Sequence, residues 1–315
     1  MENLSKPRSR QRPSIYLLND LFRHGRLLHH AGSPLTFCAY LCVLFLLPAL
    51  LGSCQRDPLP GGGEDPGEVP ADSILTRVRM QSGGLLVRTL DLFIYSADGL
   101  RTLERQVTLK APQDTLLLPT LPGEKILVGI ANSPRRFNRK ALERYDAMEQ
   151  LAFNFADDDP QLPVLGGFCT TKGNDGEIQL QPLLCRVVLT KICNTMDDYE
   201  LLENPRIRLR DLPDAAEVLR EKDFRPTELI DTGEWAALPY DIGYFPQQPG
   251  TELWCYPNDT PENVLGVPRP TLELECLIRG QRCSFEVPLP PLTRGCKKSV
   301  EITVDGPGSF RYTVH

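Results

Sequence analysis

Leu51-Gly52-Ser53-Cys54 is the stretch of the 315-residue chain whose residue types and spacing spell out a covalent reaction. A branched apolar residue, two small residues and then cysteine form a lipobox, the pattern cut by a lipoprotein signal peptidase. Small residues let an extended backbone enter the peptidase between Ser53 and Cys54, and the Cys54 thiol takes a diacylglycerol through a thioether. Cleavage would make Cys54 the first residue of the mature protein, lipidated on sulfur and on the new amine. Two or three acyl chains, at about 0.8 kcal/mol per buried CH₂, hold a protein on a membrane almost irreversibly. The element that must position this site is the uncharged run from Ala31 to Gln55, whose core from Leu35 to Leu47 is almost wholly apolar. Its 25 residues could span a bilayer as an uncleaved anchor. Pro48 and Gly52-Ser53, however, break its end where a cleavable signal needs an extended, small-residue segment. The preceding flank is basic, with Lys6, Arg8, Arg10, Arg12, Arg23 and Arg26 against Glu2 and Asp20, as suits an inside-facing segment. Residues 1–53 are therefore read as a signal peptide, with Cys54 as the lipid attachment site.

Other chemistry finds little to build on. His24, His29 and His30 lie in the leader, and only His315 follows it. A Ser-His-Asp or Cys-His centre, or a His-ligated metal, lacks its central residue. Paired carboxylates are left as the sole catalytic device, and no constellation picks out a pair, so no catalytic residue, metal or cofactor is expected. Beyond Cys54 there are seven cysteines: Cys169, Cys185, Cys193, Cys255, Cys276, Cys283 and Cys296. No CxxC spacing occurs, so a zinc or redox motif has no support, and the odd number leaves at least one unpaired. Most are read as small core residues. Asp157-Asp158-Asp159-Pro160 lacks the further oxygen ligands of a calcium loop and reads as a solvated loop.

Of 35 basic and 41 acidic residues the leader holds 6 and 2, leaving 29 and 39, a formal −10 for the mature part. That balance argues against nucleic acid as a partner, because phosphate binding wants a basic face. Residues 54–72, nearly all Pro, Gly and acid after Cys54, cannot bury apolar surface and read as a flexible tether.

The rest is strand-rich. Thr76, Val78 and Met80 alternate with Arg77 and Arg79, which predicts a one-sided strand. Val87 to Tyr95 is apolar on both faces in its second half and should be central, and Leu121-Pro122-Gly123-Glu124 suits a type II turn. Asn138 can cap a helix carrying Leu142, Tyr145, Met148 and Leu151. Further strands follow at Ile178–Leu180, Cys185–Ile192 and Ile207–Leu209. Residues 213–248 are irregular or, around 215–222, helical. A hairpin spans Leu272–Leu289, and a turn at Gly280-Gln281 pairs Ile278 with Cys283 and sets Cys276 diagonal to it. Val300–Val304 and Phe310–Val314 close the chain. Short strands joined by turns make the fold mainly β, with one or two short helices and two sandwich domains, 73–177 and 178–315.

In this order the parts resemble the FimB/Mfa-type fimbrial anchoring lipoproteins of Bacteroidota. The pieces that carry it are the lipobox, Leu90–Tyr95 with Asp98-Gly99, Leu121-Pro122-Gly123 with Gly129–Asn132, and Leu162–Gly167. Leu184–Lys191, Tyr256-Pro257-Asn258, Pro270–Leu274 and Leu292–Gly295 ahead of Val300–Val304 complete it. The resemblance implies two tandem transthyretin-like β-sandwich domains and a non-catalytic protein at the base of a fimbrium, on the outer surface of the outer membrane. Its partners would be the membrane, through lipid on Cys54, and fimbrial shaft and accessory subunits that dock by strand addition. In related shaft subunits a protease clips an early segment after Arg or Lys, and the emptied groove receives a neighbour's strand. Clipping near Arg77, Arg79 or Arg88 would make this chain a shaft or tip subunit. A glycan-binding surface lipoprotein of a polysaccharide-uptake system is the other alternative, using the aromatics Trp235, Tyr240, Tyr244, Phe245, Trp254 and Tyr256.

Overall fold

The computed structural model describes residues 72–315 apart from 198, 199, 225, 227, 262 and 263. The lipobox, with Ser53 and Cys54, and the tether up to residue 71 lie outside the described residues. The first strands are β1 (Ile74–Gln81), β2 (Thr89–Ser96), β3 (Leu103–Lys110), β4 (Thr115–Thr120) and β5 (Lys125–Ala131). A short helix α1 (Tyr145–Glu149) precedes β6 (Ala152–Asn154), β7 (Leu165–Thr170), β8 (Asp175–Gln179) and β9 (Gln181–Pro182). The second series is β10 (Cys185–Asn194), β11 (Glu203–Pro213), β12 (Ala215–Glu217), β13 (Leu229–Thr232) and β14 (Ala236–Ala237). It ends with β15 (Thr251–Cys255), β16 (Thr271–Ile278), β17 (Gln281–Pro288), β18 (Lys297–Gly306) and β19 (Ser309–Val314).

The fold is mainly β and sandwich-like. A three-stranded sheet β4-β1-β8 faces a five-stranded sheet β3-β2-β5-β7-β9. Between them lie Val78, Met80, Leu90, Leu92, Ile94, Leu127, Ile178 and Leu180. β2 is buried on both faces, as its unbroken apolar run requires of a central strand. Its other face carries Phe93 and Tyr95 into a second core with Leu142, Tyr145, Met148, Phe153, Val218 and Tyr256. The later strands build β15-β10-β18-β19 against β13-β11-β16-β17, around a core running from Cys185 to Val304.

Three local expectations are corrected. The helix over 138–151 is instead a 3₁₀ turn at Arg139–Leu142 followed by α1. Asn138 caps the 3₁₀ turn by accepting from Lys140 N, and Leu142, Tyr145 and Met148 are buried as the stripe demands. The break comes at Arg144, which stays extended because Leu103 N bonds Glu143 O and Tyr145 N bonds Arg101 O. Residues 215–217 are strand rather than helix, since β12 pairs with β6 in register Ala216↔Phe153. The hairpin turn is Arg279-Gly280, with φ of 54° and 73°, so Cys276 lies directly opposite Cys283. Such a turn needs two positive φ values, which a slip of two residues supplies without moving any side chain to the other face.

Candidate functional site

The element best placed to act is β1, the strand that the tether leads into. It is the middle strand of its sheet, antiparallel to β4 (Ile74↔Thr120 through Arg79↔Thr115) and parallel to β8 (Arg77↔Asp175 through Gln81↔Gln179). Its sequence folds this way because Thr76, Val78 and Met80 point into the core while Arg77 and Arg79 point out. The Thr76 and Thr120 hydroxyls share a buried 2.7 Å hydrogen bond. On the solvent side Arg77 pairs with Asp175 at 3.4 Å and Arg79 with Glu177 at 3.8 Å, both pairs largely exposed and each worth little alone.

The three arginines raised as cleavage points are all held by their backbones. Arg77 and Arg79 sit within ladders on both sides. Arg88 follows the loop in which Gly83 and Gly84 take positive φ and Leu85 and Leu86 are exposed. Its N–H donates to Asn132 Oδ1 at 2.9 Å, and its carbonyl accepts from Ala111 N at 2.8 Å. Arg77 and Arg79 thus lie inside the sheet, and Arg88 borders an exposed loop.

A second centre joins the early strands to the late ones. Arg294 donates through Nη1 to Val218 O (2.6 Å) and Arg220 O (3.4 Å), and through Nη2 to Gly166 O (2.8 Å) and Gln181 O (2.7 Å). Burial lowers the Arg294 pKa to about 10. Gly166 and Gly167 permit the close approach: a Cβ on Gly167 would lie 2.1 Å from Gln179 O, and one on Gly166 2.6 Å from Val218 O. Beside them lies a polar cleft of about 300 Å³ lined by Phe168, Glu177, Gln179, Gln181, Glu221 and Arg294.

The aromatic residues do not converge. Tyr256 is fully buried and donates to Asn154 O and Asp158 Oδ2. Trp235 lies against the guanidinium groups of Arg206 and Arg208, at 4.4 and 4.3 Å. Trp254 rests by Arg186, and of these six aromatics Tyr240, Tyr244 and Phe245 are exposed, the last two in edge contact at 6.0 Å. The acidic run is also more than a solvated loop. Asp158 is buried, accepts from Val164 N and the Tyr256 hydroxyl, and is raised to about 6 by burial. Its spacing gave no sign of this, because Tyr256 is 98 residues away. Among the described residues no group of three or more His, Cys, Asp or Glu is arranged to hold a metal ion, and no helix is long and apolar enough to cross a membrane.

No protein-family model matches the chain, and no curated protein matches its sequence. Solved structures share its fold. A candidate cell adhesion protein from Bacteroides eggerthii superposes with a TM-score of 0.56 at 10% identity, over 78% of this chain and 96% of that one. One from Parabacteroides distasonis gives 0.54 at 11%, over 78% and 96%. A fimbrilin from Porphyromonas gingivalis gives 0.52 at 9%, over 76% and 92%. At these identities the likeness is one of fold, a mainly β, sandwich-like architecture shared with cell adhesion and fimbrial proteins of these bacteria.

Proposed function

We propose that this is a non-catalytic surface lipoprotein that anchors a fimbrium to the outer membrane through lipid on Cys54 and limits its length. It docks to shaft and accessory subunits by strand addition. Behind the tether 54–72, residues 73–177 and 178–315 act as the two sandwich domains of this reading. The observation that carries it is the hold on the N-terminal strand. β1 is bonded on both sides, and the backbones of Arg77, Arg79 and Arg88 are engaged, which supports a chain that keeps its N-terminal strand. The edge strand β19 pairs with β18 in its own chain and leaves its other edge open, with Arg311, Tyr312 and Thr313 exposed. Such an edge can receive a strand from a neighbour. The fold shared with cell adhesion proteins and a fimbrilin supports the same reading.

Deleting the gene should release intact, overlong fimbriae into the medium, and mass spectrometry of the membrane-extracted protein should find lipid on Cys54. Fimbriae that stay attached at normal length refute the anchor. A mature chain starting just after Arg77, Arg79 or Arg88 makes it a shaft or tip subunit instead. The exposed pair Tyr244 and Phe245 favours a second reading, glycan binding, which would show as retention on a glycan array lost in Phe245→Ala.

A further inference from the structure

Three cysteines far apart in sequence form a row across β15, β10 and the residue that leads into β18. β10 lies between β15 and β18. The antiparallel register sets Cys185 directly opposite Cys255. The parallel register that pairs Arg186 with Lys297 sets Cys185 beside Cys296, where Arg186 N donates to Cys296 O at 2.9 Å. The Cys185 thiol donates to Thr293 O at 3.1 Å, in the loop that ends at Cys296. Cys185 and Cys255 are fully buried in the late core, and Cys296, packed at its edge, is partly exposed.

We propose that Cys185, Cys255 and Cys296 form one exchangeable disulfide site in which Cys185 is always a partner. Adjacent strands lie about 4.8 Å apart, inside the roughly 4.4–6.8 Å span between Cα atoms that a disulfide bridges. Cys255 and Cys296 are two strands apart, about 9.6 Å by the same spacing, and cannot be joined without moving the backbone. Entry is through Cys296, the accessible member. Its thiolate attacks a small disulfide oxidant such as oxidised glutathione, forming a mixed disulfide and releasing one glutathione thiol. The Cys185 thiolate then attacks the Cys296 sulfur, forming Cys185–Cys296 and releasing the second. The protein loses two electrons and two protons, and the oxidant gains them. Attack by Cys255 on the Cys185 sulfur moves the bond to Cys185–Cys255 and frees Cys296, with no net redox change. The same loop, Thr293–Cys296, carries Arg294, so the first of these bonds pins the Arg294 contact to β10. The neighbouring Cys255 thiol, with burial behind it, raises Cys185 above the ordinary thiol range, and the Cys185 thiol and burial do the same to Cys296, so the reaction is slow at neutral pH and quickens as pH rises.

The test exposes the purified chain to oxidised glutathione, alkylates it in denaturant and maps its peptides without reduction. Peptides joined from Cys185 to Cys296 or Cys255 are expected, with the protein two hydrogens lighter and its melting temperature raised by several degrees until reductant is added. Cys185→Ser should leave glutathione on Cys296 and no link from Cys255 to Cys296. Cys255→Ser should still form Cys185–Cys296. The proposal is overturned if all three cysteines of the wild type remain alkylatable, if glutathione persists on its Cys296, or if Cys185→Ser links the outer pair. Should Cys185→Ser not fold, the wild-type map decides alone.

Discussion

Replacing Arg294 with Met keeps most of the side-chain volume and removes the guanidinium. Three of its bonds to carbonyls, on Val218, Gly166 and Gln181, are 2.8 Å or shorter, and the fourth, to Arg220, is long at 3.4 Å. Hydrogen bonds to a charged group contribute roughly 1.5–3 kcal/mol each, so the three short ones amount to about 4–9 kcal/mol. Part of that is offset, because the substitution also removes a cation whose burial already lowers its pKa to about 10. A net loss of about 2–4 kcal/mol follows, or a fall in melting temperature of roughly 5–15 °C for a folded region of this size. Because two of the carbonyls lie on β7 and β9, two in the turn after β12, and Arg294 itself just before β18, calorimetry should also show the transition broadening or separating into two. Arg294→Lys keeps the charge and loses the planar fork, so it should recover less than half of the loss. Arg294→Met melting within a degree of the wild type, or full recovery in Arg294→Lys, would contradict this.

Three further outcomes are expected. Gly167→Ala should destabilise by at least about 2 kcal/mol in urea titration, since its Cβ would lie 2.1 Å from the Gln179 carbonyl, a backbone atom that cannot swing away. For Asp158, raised from 3.8 to about 6, the folded state binds the proton more tightly than the unfolded state. The group therefore adds stability as pH falls from above 6 toward 4, on the order of 3 kcal/mol in all. Asp158→Asn should remove that slope from stability measured against pH, and an unchanged slope would point to another group. Arg279→Asn should stabilise by up to about 0.5 kcal/mol, because relief of the φ of 54° that Arg279 holds in the hairpin turn outweighs the lost ion pair from this exposed side chain to the largely covered Glu200. A lower denaturation midpoint would contradict this.

Much of the strand plan was legible from alternation alone. β1 shows its two faces as Thr-Arg-Val-Arg-Met, and the continuous apolar run of β2 shows a strand covered on both sides. The β16–β17 faces were also legible, but their register was not, because a slip of two preserves every face and only turn geometry decides it. Ala215-Ala216-Glu217 favours helix locally, and pairing with β6 overrides that preference. The Arg294 contacts and the cysteine row left no local trace. Arg294 reaches residues 74 to 128 positions away, and Cys185 lies beside Cys255 in β15 and Cys296 just before β18, which the chain reaches only later. Asp158 was hidden the other way, since an acidic triplet before proline looks the same whether its middle residue is solvated or turned inward.

The position of β1 sets how the molecule would bear a load. A pull applied to the N-terminal end of β1 along its own axis loads both ladders at once. Six residue pairs with β4 and five with β8 then resist in shear and must yield together, whereas an end strand peeled sideways gives up its bonds one by one. In the proposed anchor, β1 would act as a mechanical clamp at the first strand of the fold.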